Sequence, residues 1–253
     1  MAATPRRART TLDRDRIIDG AVDLADDIGL EPLTIRRLAE HLGTRPMSIY
    51  HYVDGKEDII DGMVGRVFDE IPHPATDVPW KDAIRARAHS LRAAMRRHPW
   101  AIPIMESRRK PGTDILDSHE AMLATWMSTG FPLPVVAHGV AVTDAFVYGF
   151  ALQESALPLG GDDTSGGDLD EVSEEVVAPL SPERYPALVH FTMEHVMRPG
   201  YDFGDSFDAG LDIILDGVER LAEKHPAESD PPRESARGPG RTGDDLTRRA
   251  TEA

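Results

Sequence analysis

Residues 34–53, TIRRLAEHLGTRPMSIYHYV, gather side chains able to hydrogen-bond a polyanion into twenty positions. Leu38 and Leu42 form the apolar stripe of a first short helix, and Gly43 permits a sharp turn. Ile49 and Val53, at i and i+4, form the buried side of a second. Burying those four leaves Arg45, Met47, Ser48, Tyr50, His51 and Tyr52 free. Guanidinium, hydroxyl, phenol and imidazole groups on one short helix can meet base edges in a major groove, while flanking groups bind phosphate. The layout is a helix-turn-helix, although helical pairs without this role share it.

Other chemistries find little support. There is no cysteine, which excludes disulfides, thiolate metal sites and cysteine nucleophiles. Among the ten histidines, His89 and His98 are nine apart and His190 and His195 five apart, so neither pair shares a helix face. No His-Glu-x-x-His, glycine-rich phosphate loop or nucleophile elbow is present. The expectation is a protein that is not an enzyme and carries no metal or cofactor.

A formal net charge of −16 looks wrong for a DNA-binding chain. Residues 1–60, however, hold nine basic and eleven acidic side chains, and most of the acidity lies beyond them. Phosphate binding answers to the local field, because salt screens charges farther than about 8–10 Å. Met1–Arg9 is basic but no apolar segment follows, so a secretory signal is not expected. No apolar run approaching the roughly 18 residues of a membrane span is evident, and a cytoplasmic location is expected.

The elements that must position these residues read as helices throughout. Residues 1–11 are expected to form a basic, disordered arm. Helical spacing runs from Asp13 to Gly29, then Thr34–Leu42 with Thr34 as N-cap, then from Pro46 to about Val53. Asp54 and Glu57 have capping-box form before a fourth helix ending near Ile71. Pro72, Pro74 and Pro79 mark a linker. Further helices are expected at about 80–97, 99–107, 113–129, 134–156, 183–196 and 204–223, with a mobile acidic loop at about 158–182 and a disordered tail, 226–253.

Helix 134–156 is apolar around most of its circumference and must be covered on most sides. Helix 204–223 is amphipathic, with Phe207, Leu211, Ile214, Leu215, Val218 and Leu221 opposite a row of carboxylates. The pattern fits a core helix with its cover, or equally a four-helix subunit interface.

Arg16–Ile71 resembles the DNA-binding domain of the tetracycline-repressor family. The resemblance rests on Leu33-Thr34-Ile35-Arg36-Arg37-Leu38-Ala39, Leu42-Gly43, Ser48-Ile49-Tyr50-His51-Tyr52-Val53 and Lys56-Glu57. It continues through Trp80, His98-Pro99-Trp100, Gly130-Phe131, Gly149–Glu154 and Phe207–Leu221, in the subgroup nearest the tetracycline repressor, and covers roughly 12–223. The resemblance implies an all-α fold: a helix-turn-helix head, 12–71, and a helical effector-binding and dimerisation domain, 79–223. It implies a homodimeric repressor of a pseudo-palindromic operator, released by a small molecule. A rival expectation keeps the DNA binding and gives the switching to a protein partner.

In the head, the resemblance places Thr34 and Arg36 on the first helix of the motif and Arg45, Met47 and Ser48 at the start of the recognition helix. Tyr50, His51 and Tyr52 follow, and Lys56 stands against phosphate. Pro46-Met47 replaces the Gln-Pro that leads this helix in the tetracycline repressor, so a different operator is expected. The expected effector pocket comprises Trp100, Ile104, Met105, Met122, Trp126, His138, Val142 and Phe146. The expected dimer interface uses Val147, Phe150, Leu211, Leu215 and Val218. Met105 and Gln153 occupy the positions of metal ligands, and a thioether and an amide are poor magnesium donors, so a mostly apolar effector without a metal is expected.

Overall fold

The computed structural model describes residues 12–105, 112–156 and 181–225, and every regular element within them is helical. The expected arm, nearly all of the expected loop and the expected tail lie outside the described residues. The helices are α1 (Arg14–Ile28), α2 (Ile35–His41), α3 (Pro46–Ile49), α4 (Lys56–Asp69), α5 (Trp80–Arg97), α6 (Thr113–Met127), α7 (Leu133–Ala156), α8 (Pro186–Phe191) and α9 (Ser206–Lys224).

Local chemistry sets the boundaries in the first half. Asp13 caps α1 by accepting from the Arg16 amide at 2.9 Å, and Thr34 caps α2 by accepting from the Arg37 amide at 3.2 Å. Gly43, at φ +64°, makes the turn into α3 without a Cβ penalty. The expected capping box before α4 is displaced by one residue: Asp58, not Glu57, accepts from the Asp54 amide at 3.0 Å. Asp58 also accepts from Arg14 at 2.8 Å, which ties the start of α4 to α1. Burial alone would raise the Asp58 carboxyl, but these hydrogen bonds and the Arg14 charge hold it below its usual range.

α1 and α4 bury Ile17, Ile18 and Ala21 on one and Met63, Val64 and Val67 on the other. Arg66 of α4 crosses the edge of this contact to Asp15 and Asp19 of α1, at 2.7 and 2.9 Å.

Two expected helices are remodelled. The span expected as helix 99–107 is a 3₁₀ turn, Pro99–Ala101, followed by further turns to Met105. Pro99 and Pro103 each lack the amide that a continuous helix needs. The span expected at 183–196 begins as α8 and ends in a single π-helical turn, Thr192–Val196.

In the second half, α9 packs on α7 and runs antiparallel to α5. The antiparallel sense is visible in a ladder of ion pairs. Lys81 meets Asp216 and Glu219, Arg85 meets Asp212, and His89 meets Asp208, at 2.5–2.7 Å. Pairs this exposed contribute about 0.2–1 kcal/mol each, so they set register more than stability. Farther in, Arg92 holds Glu154 of α7 bidentately at 2.6 and 3.0 Å and lies over the rings of Phe150 and Phe207.

Contrary to the sequence expectation, α7 is long and apolar enough to cross a membrane by length and composition, with a mean hydropathy of 1.6. Only 39% of its most apolar window is buried. One side packs into its own chain, while Ala141, Val142, Ala145 and Leu152 face outward.

Candidate functional site

The short α3 and the turn after it stand on two fully buried anchors, Ile49 and Val53. The Val53 amide bonds back to the Ile49 carbonyl, extending one helical turn beyond α3. Everything between the anchors points away from the core. Met47 is 69% exposed, Tyr50 49% and Tyr52 43%, an unusual state for large apolar and aromatic groups. Arg45 and His51 are exposed and Ser48 half-buried. Arg36 is exposed on α2 and paired only to Glu40 one turn on, and Lys56 is exposed at the start of α4. Thr34 is exposed too, its hydroxyl spent on capping α2. The face thus combines loosely tethered cations with phenols and a thioether on one rigid edge.

A second feature joins this head to the rest of the chain. His98, nearly fully buried, places Nδ1 2.7 Å from Asp26 of α1 and Nε2 3.0 Å from Glu70 at the end of α4. Carboxylate oxygens only accept, so both contacts are hydrogen bonds when both ring nitrogens carry protons. Trp100 donates its indole N–H to the same Asp26 oxygen at 2.6 Å, and Arg97 pairs with Glu70. Phe68 of α4 also meets His119 of α6, at a ring separation of 5.8 Å.

The third feature is a void of about 10 Å³, room for roughly one water, between α5, α6 and α7, lined by Ile84, Arg87, Leu91, Met122, Trp126 and Thr143, among others. Its walls are apolar except for Arg87, Thr143 and Asp144.

The chain matches the model of the tetR family of bacterial regulatory proteins over residues 17–63 and that of the tetracyclin repressor-like C-terminal domain over 72–222. The chain belongs to the tetR family. Its function is DNA-binding transcriptional regulation. It is 35% identical to the HTH-type transcriptional repressor DrrR1 of Streptomyces coeruleorubidus, over 89% of this chain and 84% of that one. It is 27% identical to the class C tetracycline repressor protein of Escherichia coli, over 83% and 92%. Among solved structures it resembles the TetR family protein ActR of Streptomyces coelicolor in complex with actinorhodin. The TM-score is 0.68 at 26% identity, over 86% of this chain and 99% of that one.

Against this TetR-family frame, the expected pocket residues divide. Met122 and Trp126 line the cavity. Trp100 does not: its bond to Asp26 puts it at the head junction, because Pro99 breaks the helix that would have carried it inward. Met105 is buried and Ile104 half-buried, beside residues outside the described set. His138 and Val142 face outward from α7. Phe146 stacks on Phe207 at 5.4 Å, in the α7–α9 contact.

The expected dimer-interface residues also require correction. Val147, Phe150, Leu211, Leu215 and Val218 are all buried within one chain, with Val147 on the cavity wall. A helix apolar on every side does not announce which side its own chain will claim, and α7 gives this one to α5 and α9. Of the positions that resemblance assigns to metal ligands, Met105 is a buried thioether and Gln153 an exposed amide. The adjacent Glu154 is turned inward and committed to Arg92. This donor set does not fit a magnesium ion.

Arg87 and Thr143 were missed by sequence reasoning. A signal existed for Arg87: it interrupts the apolar stripe of α5 between Ile84 and Leu91, at the spacing of a core position.

Proposed function

We propose that the protein is a homodimeric repressor that holds a pseudo-palindromic operator and releases it when a mostly apolar small molecule enters the sensor domain. The observation that carries the DNA half of this reading is the row Arg45, Met47, Tyr50, His51 and Tyr52, exposed around the buried anchors Ile49 and Val53, with Ser48 half-buried among them. Such a row can enter a major groove, with Arg36 and Lys56 against the flanking backbone. The head would span residues 12–71 and the sensor 79–223, working in the cytoplasm where the operator lies.

Dimerisation is supported by the apolar surface that one chain leaves uncovered. On α7 it comprises Ala141, Val142, Ala145 and Leu152, and on α9 it is centred on Ile213, 70% exposed. Two copies of this pair would complete a four-helix bundle.

Release by a ligand is supported by two relatives: DrrR1 is named a repressor, and ActR is solved with actinorhodin. The route is geometric. α4 carries the head and rests on α6, and His98 clamps α1 and α4 to the chain leaving α5. A ligand that shifts α6 moves both heads away from the separation of about one DNA turn that adjacent grooves require. The shift is limited by the ligand's differential affinity for the released form.

Footprinting on the DNA upstream of the protein's own gene tests this reading. Two protected half-sites centred about 10 bp or a multiple of it apart are expected. Absence of any sequence-selective protection at low salt would overturn it.

A further inference from the structure

One imidazole holds two helices of the head from a fixed point on the other half of the chain. His98 ends α5: its amide donates to the Ala94 carbonyl at 2.9 Å, and its carbonyl accepts from the Ala101 amide at 2.9 Å. Pro99, which cannot continue α5, follows it. His98 is 5% exposed, and its ring lies between Asp26 and Glu70, carboxylates from α1 and from the end of α4. Arg97 of α5 pairs with the same Glu70. Trp100 donates to Asp26 and sets its ring 5.9 Å from the imidazole, adding no ionisable group.

What this arrangement holds depends on how many protons the ring carries. With both nitrogens protonated, Nδ1 and Nε2 each donate to an ionised oxygen, the stronger class of hydrogen bond. A neutral imidazole keeps one N–H, so its other nitrogen turns a lone pair toward a carboxylate that can only accept. One of the two contacts then becomes repulsive, in a site from which water is nearly excluded. Either loss frees one helix of the head, α1 or α4, from the imidazole. Trp100 still holds Asp26 and Arg97 still holds Glu70, so losing the proton loosens the joint without dissolving it.

We propose that His98 is a proton-dependent positioning residue: the doubly protonated ring fastens the head, and its deprotonation lets the head swing and weakens operator binding. This rests on the reading of α4 as the arm that carries the head to DNA. Fastened heads already stand at the separation two half-sites need. Loose heads spend part of their time elsewhere, and apparent affinity falls with the competent fraction. Histidine is the side chain whose charge ordinarily changes between about pH 5 and pH 8, a range in which carboxylates are ordinarily ionised.

The test compares the wild type with His98→Leu and with His98→Gln, an uncharged side chain that keeps a donor. Each full-length protein is titrated, at constant ionic strength from about pH 6 to about pH 8, with the duplex that footprinting upstream of its own gene protects. The wild type is expected to lose about three- to tenfold in affinity relative to either variant across this range, because operator binding takes up part of a proton. The other histidines, His51 on the recognition row and His119 beside Phe68 among them, are present in all three proteins, so the ratio removes their contribution.

Melting of the free proteins needs no DNA. The contacts of the doubly protonated ring are complete at the lower pH and lost with the proton, so the Tm gap between the wild type and His98→Leu should narrow as pH rises. A gap that stays constant or widens would overturn the proposal. A narrowing gap with a constant affinity ratio would make His98 a structural residue and overturn its positioning role. Failure of footprinting to find any operator defeats the DNA reading and not the joint, whose proton dependence the melting gap decides on its own.

Discussion

Replacing His98 with leucine removes both hydrogen bonds that fasten the head to the end of α5 while keeping a buried apolar body of similar size. Each bond involves a carboxylate, and charged hydrogen bonds contribute about 1.5–3 kcal/mol net. The lower end applies, because Asp26 and Glu70 are about a third exposed and regain water, while Trp100 and Arg97 remain as their partners. The expected loss is therefore about 2–3 kcal/mol. For a chain of this size, that lowers Tm by roughly 4–12 °C at about 2–4 °C per kcal/mol. Calorimetry of His98→Leu, Asp26→Asn and the double variant gives the coupling, expected at about 1–2 kcal/mol, from non-additivity. Operator titrations of the same proteins report whether the heads lose their fixed spacing. Additive melting effects together with unchanged operator affinity would refute the clamp as the link between head and sensor.

Three further outcomes follow from the packing. In Gly139→Ala, the new Cβ would stand 2.7–2.8 Å from the Trp126 ring, so a loss of about 1–3 kcal/mol and a changed tryptophan emission are expected in thermal melts. Ile213→Asp should sediment as a folded monomer, because it places a carboxylate in the proposed subunit contact but not in the core; an intact dimer would remove that contact. Asp58 has a folded-state carboxyl below its unfolded value, so its stabilisation is complete above about pH 4 and is lost as pH falls through the lowered value. The stability difference between wild type and Asp58→Asn should accordingly be larger at pH 7 than at pH 3.

The head was nearly fully legible in the sequence, because its devices are local: Asp13 and Thr34 as caps, Gly43 at the turn, Ile49 and Val53 as anchors. The exception, capping by Asp58 rather than Glu57, turned on a one-residue shift of the α4 start that periodicity does not resolve. The sensor domain was less legible because its decisive facts are non-local. Nothing in the α9 carboxylates says that Lys81 and Arg85 will answer them, and they read equally well as a solvated face. The all-apolar α7 concealed which side was core, so Val147 and Phe150 were assigned outward and Val142 inward, the reverse of what packing chose. Trp100 looked like a pocket aromatic until the proline before it placed its indole on Asp26.

The most direct test of the central claim is the salt dependence of operator affinity, measured by fluorescence anisotropy for the wild type and Lys56→Ala. With Lys56 against phosphate, the variant should bind both operator and unrelated DNA more weakly. The slope of log affinity against log salt should fall by about one, because one fewer counterion is released. If affinity and slope are both unchanged, the exposed edge formed by α3 and the start of α4 is not the surface that meets DNA.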